Sequence, residues 1–113
     1  FAKIGGEMVS LAAVEELVLR TWPRTQHAVV SVPDARTGEQ LVLLTEHHAA
    51  TRQALAERAR QEEVSSLTLP KKIIVVSSIP LLASGKVDYP AARALAEQEL
   101  AKSDHRRFVH SCT

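Results

Sequence analysis

The sequence predicts an α+β domain: a small three-stranded sheet covered by helices and preceded by a short N-terminal β-hairpin. Three observations carry that expectation. Gly5-Gly6 joins two short extended segments at the start of the chain, a hairpin signal. Strand-like runs near 26–32, 40–46 and 72–77 alternate with helical patterns that open on capping residues. The last apolar run, Ile73-Ile74-Val75-Val76, reads as a buried strand and is followed by a Pro/Gly-containing loop and an alanine-rich helix.

Taken in order, Phe1 to Val9 forms the hairpin, which is too small to stand alone and must lean on the remainder or on a partner. Ser10 caps a helix running to about Trp22, with Leu11, Val14, Leu17 and Val18 as its apolar stripe and Glu15, Glu16 and Arg20 outside. Pro23 stops it. From Gln26 to Val32 the residues alternate, Ala28, Val30 and Val32 on one face and Val29 and Ser31 on the other. Pro33 to Gly38 is a turn cluster. The continuous Leu41-Val42-Leu43-Leu44 predicts a strand buried on both faces and paired antiparallel with the one before it. Thr51 caps a second helix to about Glu62, with Ala54, Leu55 and Ala59 inward. Asp88 caps the last helix, which carries Pro90 in its first turn and ends near Lys102. Ser103 to Thr113 has no period and reads as a tail, so residues 1–102 are the domain.

The bulk properties exclude more than they identify. The 113 residues hold one core and not two. A formal net charge of +1, from 14 basic and 13 acidic residues, gives no electrostatic footprint for nucleic acid or anionic membrane. The single cysteine, Cys112, has no internal partner and no base beside it in sequence. No apolar run approaches the ~20 residues needed to span a bilayer. The chain starts on a strand without an initiator Met, which predicts a piece of a larger protein.

The stretch with chemical content is Ser78 to Pro90. Pro80 ends the strand by removing a ladder donor, and Gly85 opens backbone conformations closed to other residues. Lys86 then carries a compact ammonium on a flexible stem, suited to a phosphate or a carboxylate. Ser84-Gly85-Lys86 is not a P-loop, because the first glycine of G-x-x-x-x-G-K-[ST] is missing. A lysine in a Gly-containing surface loop is usually just solvated, so spacing alone leaves Lys86 as a candidate.

Two stretches together resemble a known family. Phe1-Ala2-Lys3-Ile4-Gly5-Gly6-Glu7-Met8-Val9-Ser10-Leu11 looks like the segment opening the C-terminal subdomain of adenylate-forming, acyl-activating enzymes. Ile79-Pro80-Leu81-Leu82-Ala83-Ser84-Gly85-Lys86 resembles their Leu-Pro-x-x-x-Ser-Gly-Lys loop, which carries the catalytic lysine. The wording is nearest to the bifunctional acyl-acyl carrier protein synthetase/2-acylglycerophosphoethanolamine acyltransferase group. The resemblance covers almost the whole chain. Where the broader family has Arg and Glu after the glycine, this chain has Met8 and Ser10, and Tyr89 replaces an arginine three residues past the lysine.

The resemblance implies a small lid that serves two half-reactions. A fatty acid and Mg-ATP give an acyl-adenylate, and the phosphopantetheine thiol of acyl carrier protein then takes the acyl group and releases AMP. Lys86 is the implied catalytic residue of the first step, supported by Ser84 and Gly85. Gly5, Gly6 and Glu7 would line the pantetheine channel in the second. ATP and Mg2+ would be bound mainly by a large N-terminal domain of the same chain. The group further implies reacylation of lysophosphatidylethanolamine on the cytoplasmic side of the bacterial inner membrane. Departure from the common pattern favours a carrier protein over coenzyme A as acceptor, with an acyl-CoA synthetase lid or a non-catalytic carrier-protein-binding module as alternatives.

The remaining candidates read as structure. Trp22 is a helix-end core contact. His47-His48 are solvent-exposed and, pointing apart, make no metal site. Lys71-Lys72 and His105-Arg106-Arg107 are solvated basic runs, although Arg106 and Arg107 suit an acidic carrier protein.

Overall fold

The computed structural model describes the backbone of residues 1–111 and the side chains of residues 1–102. Ala2–Ile4 (β1) and Glu7–Val9 (β2) pair antiparallel, Ala2 opposite Val9 and Ile4 opposite Glu7. Gly5 and Gly6 between them have φ of +57° and +92°, the pattern of a type I′ turn. Ser10 is extended, and its hydroxyl accepts the Ala13 N–H to open the helix Leu11–Thr21 (α1). His27–Asp34 (β3) and Gly38–Thr45 (β4) form an antiparallel pair, His27 opposite Thr45 and Asp34 opposite Gly38.

Thr51 caps Arg52–Gln61 (α2), which returns the chain so that Lys72–Val75 (β5) runs parallel to β4, Val42 opposite Lys72. Parallel neighbours need such a crossover. The sheet order is β3-β4-β5, with β4 in the middle. Asp88 accepts the Ala91 N–H at the start of Tyr89–Ser111 (α3).

The pleat sends alternate residues to opposite faces, and both faces are covered. Val29, Leu41 and Leu43 meet Val14, Leu17 and Val18 of α1 and Leu55 and Ala59 of α2. Ala28, Val30, Val32, Val42 and Leu44 meet Ile79 and, from α3, Ala92 and Ala96. Each large side chain so buried contributes roughly 1.5–3 kcal/mol. The expected α+β fold, with hairpin, three-stranded sheet and covering helices, is the one present.

Three local expectations are corrected. Ile73 and Ile74 are only half-buried and Val75 is 41% exposed, because β5 is an edge strand with a neighbour on one side only. Ala54 faces solvent, since Leu55 and Ala59, one turn apart, already fill the contact that α2 makes. The last helix continues past Lys102 to Ser111, and no Gly or Pro after Pro90 is present to interrupt it. Cys112 lies outside the described residues, as do the side chains of Arg106 and Arg107. Among the described residues, no helix is long and apolar enough to cross a membrane.

Candidate functional site

Lys86 lies at the end of a miniature hairpin. On the incoming side Ile79 is buried, and its N–H donates to Glu46 Oε2 at 2.8 Å, fixing the loop to the end of β4. Leu81 then bridges Val87 in antiparallel fashion, Leu82 N–H donates to the Lys86 carbonyl at 2.7 Å and Asp88 N–H to the Pro80 carbonyl at 2.9 Å. Gly85 closes the turn at φ +88°, donating to the Leu82 carbonyl. The loop is therefore hydrogen-bonded to itself at three levels. Ser84, Gly85 and Lys86 are all exposed, and among the described residues the Lys86 ammonium makes no ion pair or hydrogen bond. A single positive charge stands on a stiff support without a counter-ion among the described residues.

The Gly5-Gly6 turn is held at another place. Gly5 N–H reaches the Thr37 carbonyl, and Lys3 N–H donates to Glu39 Oε2 at 2.8 Å. The other oxygen of Glu39 accepts the Ser31 hydroxyl at 2.6 Å. That hydroxyl first, and the Lys3 amide second, hold the Glu39 carboxyl below its ordinary range. No atom lies within 4 Å of where a Cβ on Gly5 or Gly6 would stand, so the turn opens outward. Glu7 and Met8 beside it are exposed.

These two sets of residues do not come together. Thr37 belongs to the β3–β4 turn, where β4 begins, whereas Glu46 follows Thr45, where β4 ends. The ends of the eight-residue β4, seven steps of about 3.4 Å apart, are therefore separated by roughly 24 Å. Gly5, Gly6 and Glu7 gather at one end of the sheet, and Ser84, Gly85 and Lys86 at the other.

A family model described as the AMP-binding enzyme C-terminal domain matches residues 13–86, which include Lys86 and the incoming leg of its hairpin. The chain belongs to this family. As an AMP-binding C-terminal domain it is 33% identical over 95 residues to a 2-hydroxy-7-methoxy-5-methyl-1-naphthoate–CoA ligase of Streptomyces carzinostaticus, covering 81% of this chain and 17% of that protein. It is 31% identical over 108 residues, 93% of this chain and 19% of the relative, to a Mycolicibacterium smegmatis ligase named for medium/long-chain fatty acids, 3-oxocholest-4-en-26-oate and CoA. The solved Mycobacterium tuberculosis fatty acyl CoA synthetase superposes with a TM-score of 0.71 at 26% identity, covering 83% of this chain and 19% of that one. The chain thus spans less than a fifth of the length of each.

Sequence reasoning missed the carboxylates that fix these features. Glu15 is not simply on an outer face: its Oε2 accepts the Val29 N–H at 3.1 Å and its Oε1 the Tyr89 hydroxyl at 2.7 Å. Burial first, and then Glu15, push the Tyr89 phenol up to about 12. Glu39 and Glu46 look like ordinary charged strand residues, and only the strand pairing reveals which amides face them. His47 is half-buried and stacks on Trp22, ring centroids 5.4 Å apart at 23°, which corrects its reading as solvent-exposed; His48 is exposed as expected.

His27, which the pattern gave no reason to single out, is buried at the start of β3. Its Nε2 lies 2.7 Å from the Trp22 carbonyl, an acceptor only, so Nε2 carries the proton and Nδ1, 2.8 Å from Thr45 Oγ1, accepts from that hydroxyl. Burial lowers the imidazole below its ordinary value of 6.5. The unfolded chain therefore takes up this proton first. The stability contributed by keeping His27 neutral is complete above pH 6.5 and is lost as the pH falls from there toward the lower folded value. Denaturation of the domain between about pH 7 and pH 5 is expected to show a falling midpoint, with a shallower fall in His27→Asn. Equal slopes for the two proteins would contradict the assignment.

Proposed function

We propose that this domain is the mobile lid of an ATP-dependent acid–thiol ligase that activates a fatty acid as its adenylate and passes the acyl group to a phosphopantetheine thiol. The observation that supports it is the placement, at opposite ends of one small body, of an open glycine turn and of a lysine without a counter-ion among the described residues. In the first half-reaction a carboxylate oxygen attacks the α-phosphate of ATP and pyrophosphate leaves. That attack brings negative charges together, and Lys86 supplies a cation where they meet. Ser84 and Gly85 shape the turn that presents it. In the second half-reaction the other end faces the reacting carbon. Gly5 and Gly6, with no side chains, leave a slot for the pantetheine arm, and Glu7 borders it. ATP and Mg2+ are assigned to the large N-terminal domain, the first partner of this one. Among the described residues no three His, Cys, Asp or Glu side chains gather into a site.

The acceptor has two readings that share this chemistry. The Phe1–Leu11 wording, with Met8 and Ser10, favours acyl carrier protein, and with it a phospholipid-reacylating acyltransferase at the cytoplasmic face of the bacterial inner membrane. The curated relatives above are named CoA ligases, which favours coenzyme A. Full-length protein given one fatty acid, ATP, holo-carrier protein and coenzyme A in competition is expected to label the carrier protein first. Preferential acyl-CoA formation would transfer the domain to the acyl-CoA synthetases. No fatty-acid-dependent ATP–pyrophosphate exchange at all would remove the ligase reading in favour of a carrier-docking module.

A further inference from the structure

Among the described residues the Lys86 ammonium has no hydrogen-bond or ion-pair partner, so its position depends on how the backbone beneath it is held. The hairpin has two legs. The incoming leg is tied at Ile79, buried in the core and bonded to Glu46. The outgoing leg passes through Val87 and Asp88 into the first turn of α3, where Tyr89 stands three residues from Lys86. Tyr89 does not join the core: it is 44% exposed. Its hydroxyl crosses instead to Glu15 on α1, and the same carboxylate accepts Val29 N–H.

α1 and α3 cover opposite faces of the sheet, so the Glu15–Tyr89 bond spans the edge of β3 between the two layers. Glu15 and Tyr89 both line two clefts, one of about 300 Å³ with Thr25 and His27 and one of about 760 Å³ with Phe1, Ser31 and Glu39. An exposed tyrosine bridging two clefts is a poor packing device. It is a good strut, because a phenol is rigid and its one hydroxyl bonds a charged acceptor.

We infer that Glu15 and Tyr89 are positioning residues for Lys86, a clasp that fixes the outgoing leg of its hairpin as Ile79 and Glu46 fix the incoming leg. The inference rests on the reading of Lys86 as the adenylation lysine. Without the clasp the first turn of α3 keeps only the Asp88 cap and the packing of Val87 and Ala92, so Lys86 samples more positions, while the Gly5-Gly6 hairpin, bonded to Thr37 and Glu39 and not to Tyr89, keeps its own anchors. The clasp therefore acts on one half-reaction only.

The test uses the full-length enzyme with Tyr89→Phe, Glu15→Gln, the double variant and Lys86→Ala, each assayed in both half-reactions. Tyr89→Phe is expected to lower kcat of fatty-acid-dependent pyrophosphate exchange by about tenfold with little change in KM. Thioester formation from preformed acyl-adenylate stays within about twofold, and so does the double variant relative to either single in exchange, as for two ends of one bond. A matched fall in both half-reactions, or a lowered thermal midpoint with the catalytic split absent, would make the bond merely structural and overturn the inference. Exchange unaltered in Tyr89→Phe but abolished in Lys86→Ala would overturn it while leaving Lys86 in place. Exchange unaltered in Lys86→Ala would remove the reading on which it rests.

Discussion

Lys86→Ala in the full-length protein is expected to reduce fatty-acid-dependent ATP–pyrophosphate exchange by at least about 10²–10³-fold, the scale of removing one preorganised donor to developing charge. The fold should not notice the change. Lys86 is exposed, makes no ion pair among the described residues, and contributes to the hairpin only through its carbonyl, which alanine keeps. Thermal midpoints of the two proteins should therefore agree. Lys86→Arg is a sharper probe, because it retains the charge but replaces a compact ammonium by a planar fork. It should recover only part of the rate. Wild-type exchange from Lys86→Ala would show that the hairpin presents its charge to nothing.

Gly6→Val should produce the opposite split. Gly6 has φ +92°, and a β-branched side chain resists that region; the strain is on the order of 1–2 kcal/mol or more. The variant either keeps the turn and fills the slot or lets the hairpin relax, and both impair thioester formation, by about tenfold or more. Adenylation, at the far end of β4, should stay within about twofold of wild type. Gly5→Asn is the control. At φ +57° Asn is among the residues that tolerate the left-handed region, so this variant should keep the turn and the thermal midpoint, leave adenylation intact and slow thioester formation only through the side chain it adds to the slot. A Gly6→Val enzyme slowed equally in both steps would break the correspondence between ends and half-reactions.

The parts legible in the sequence are those encoded locally. Ser10, Thr51 and Asp88 announce helix starts because their side chains bond amides three residues away. Gly5-Gly6 announces its turn, and the Leu41–Leu44 run announces a strand covered on both faces. The Lys86 hairpin was legible as a stiff turn because Pro80 and Gly85 constrain it directly. The missed features are non-local. Glu15 meets Tyr89 across 74 positions, Glu39 meets Lys3 across 36 and Glu46 meets Ile79 across 33, and nothing in the flanking residues signals those partners. Glu63 is a further case. It ends α2 at φ +57° without being glycine, sustained by Val64 N–H bonding back to the Ala59 carbonyl. The edge position of β5 was hidden for the same reason, since an Ile-Ile-Val-Val run reads alike whether one neighbour or two is present.

That edge position bears on how heat would act on this domain and, through it, on the proposed adenylation. β5 joins the sheet through four residues on one side, across a connection running from Thr45 to Lys72, and the Lys86 hairpin hangs from its far end. Contacts so distant in sequence and so few in number open at lower free energy than the β3–β4 pair, whose eight residues close through a short turn. Amide hydrogen exchange should accordingly be faster at Ile73 and Ile74 than at Val42 and Leu44. On mild warming, the capacity to form acyl-adenylate should fade while most of the protein remains folded and while acyl transfer from adenylate already made still proceeds.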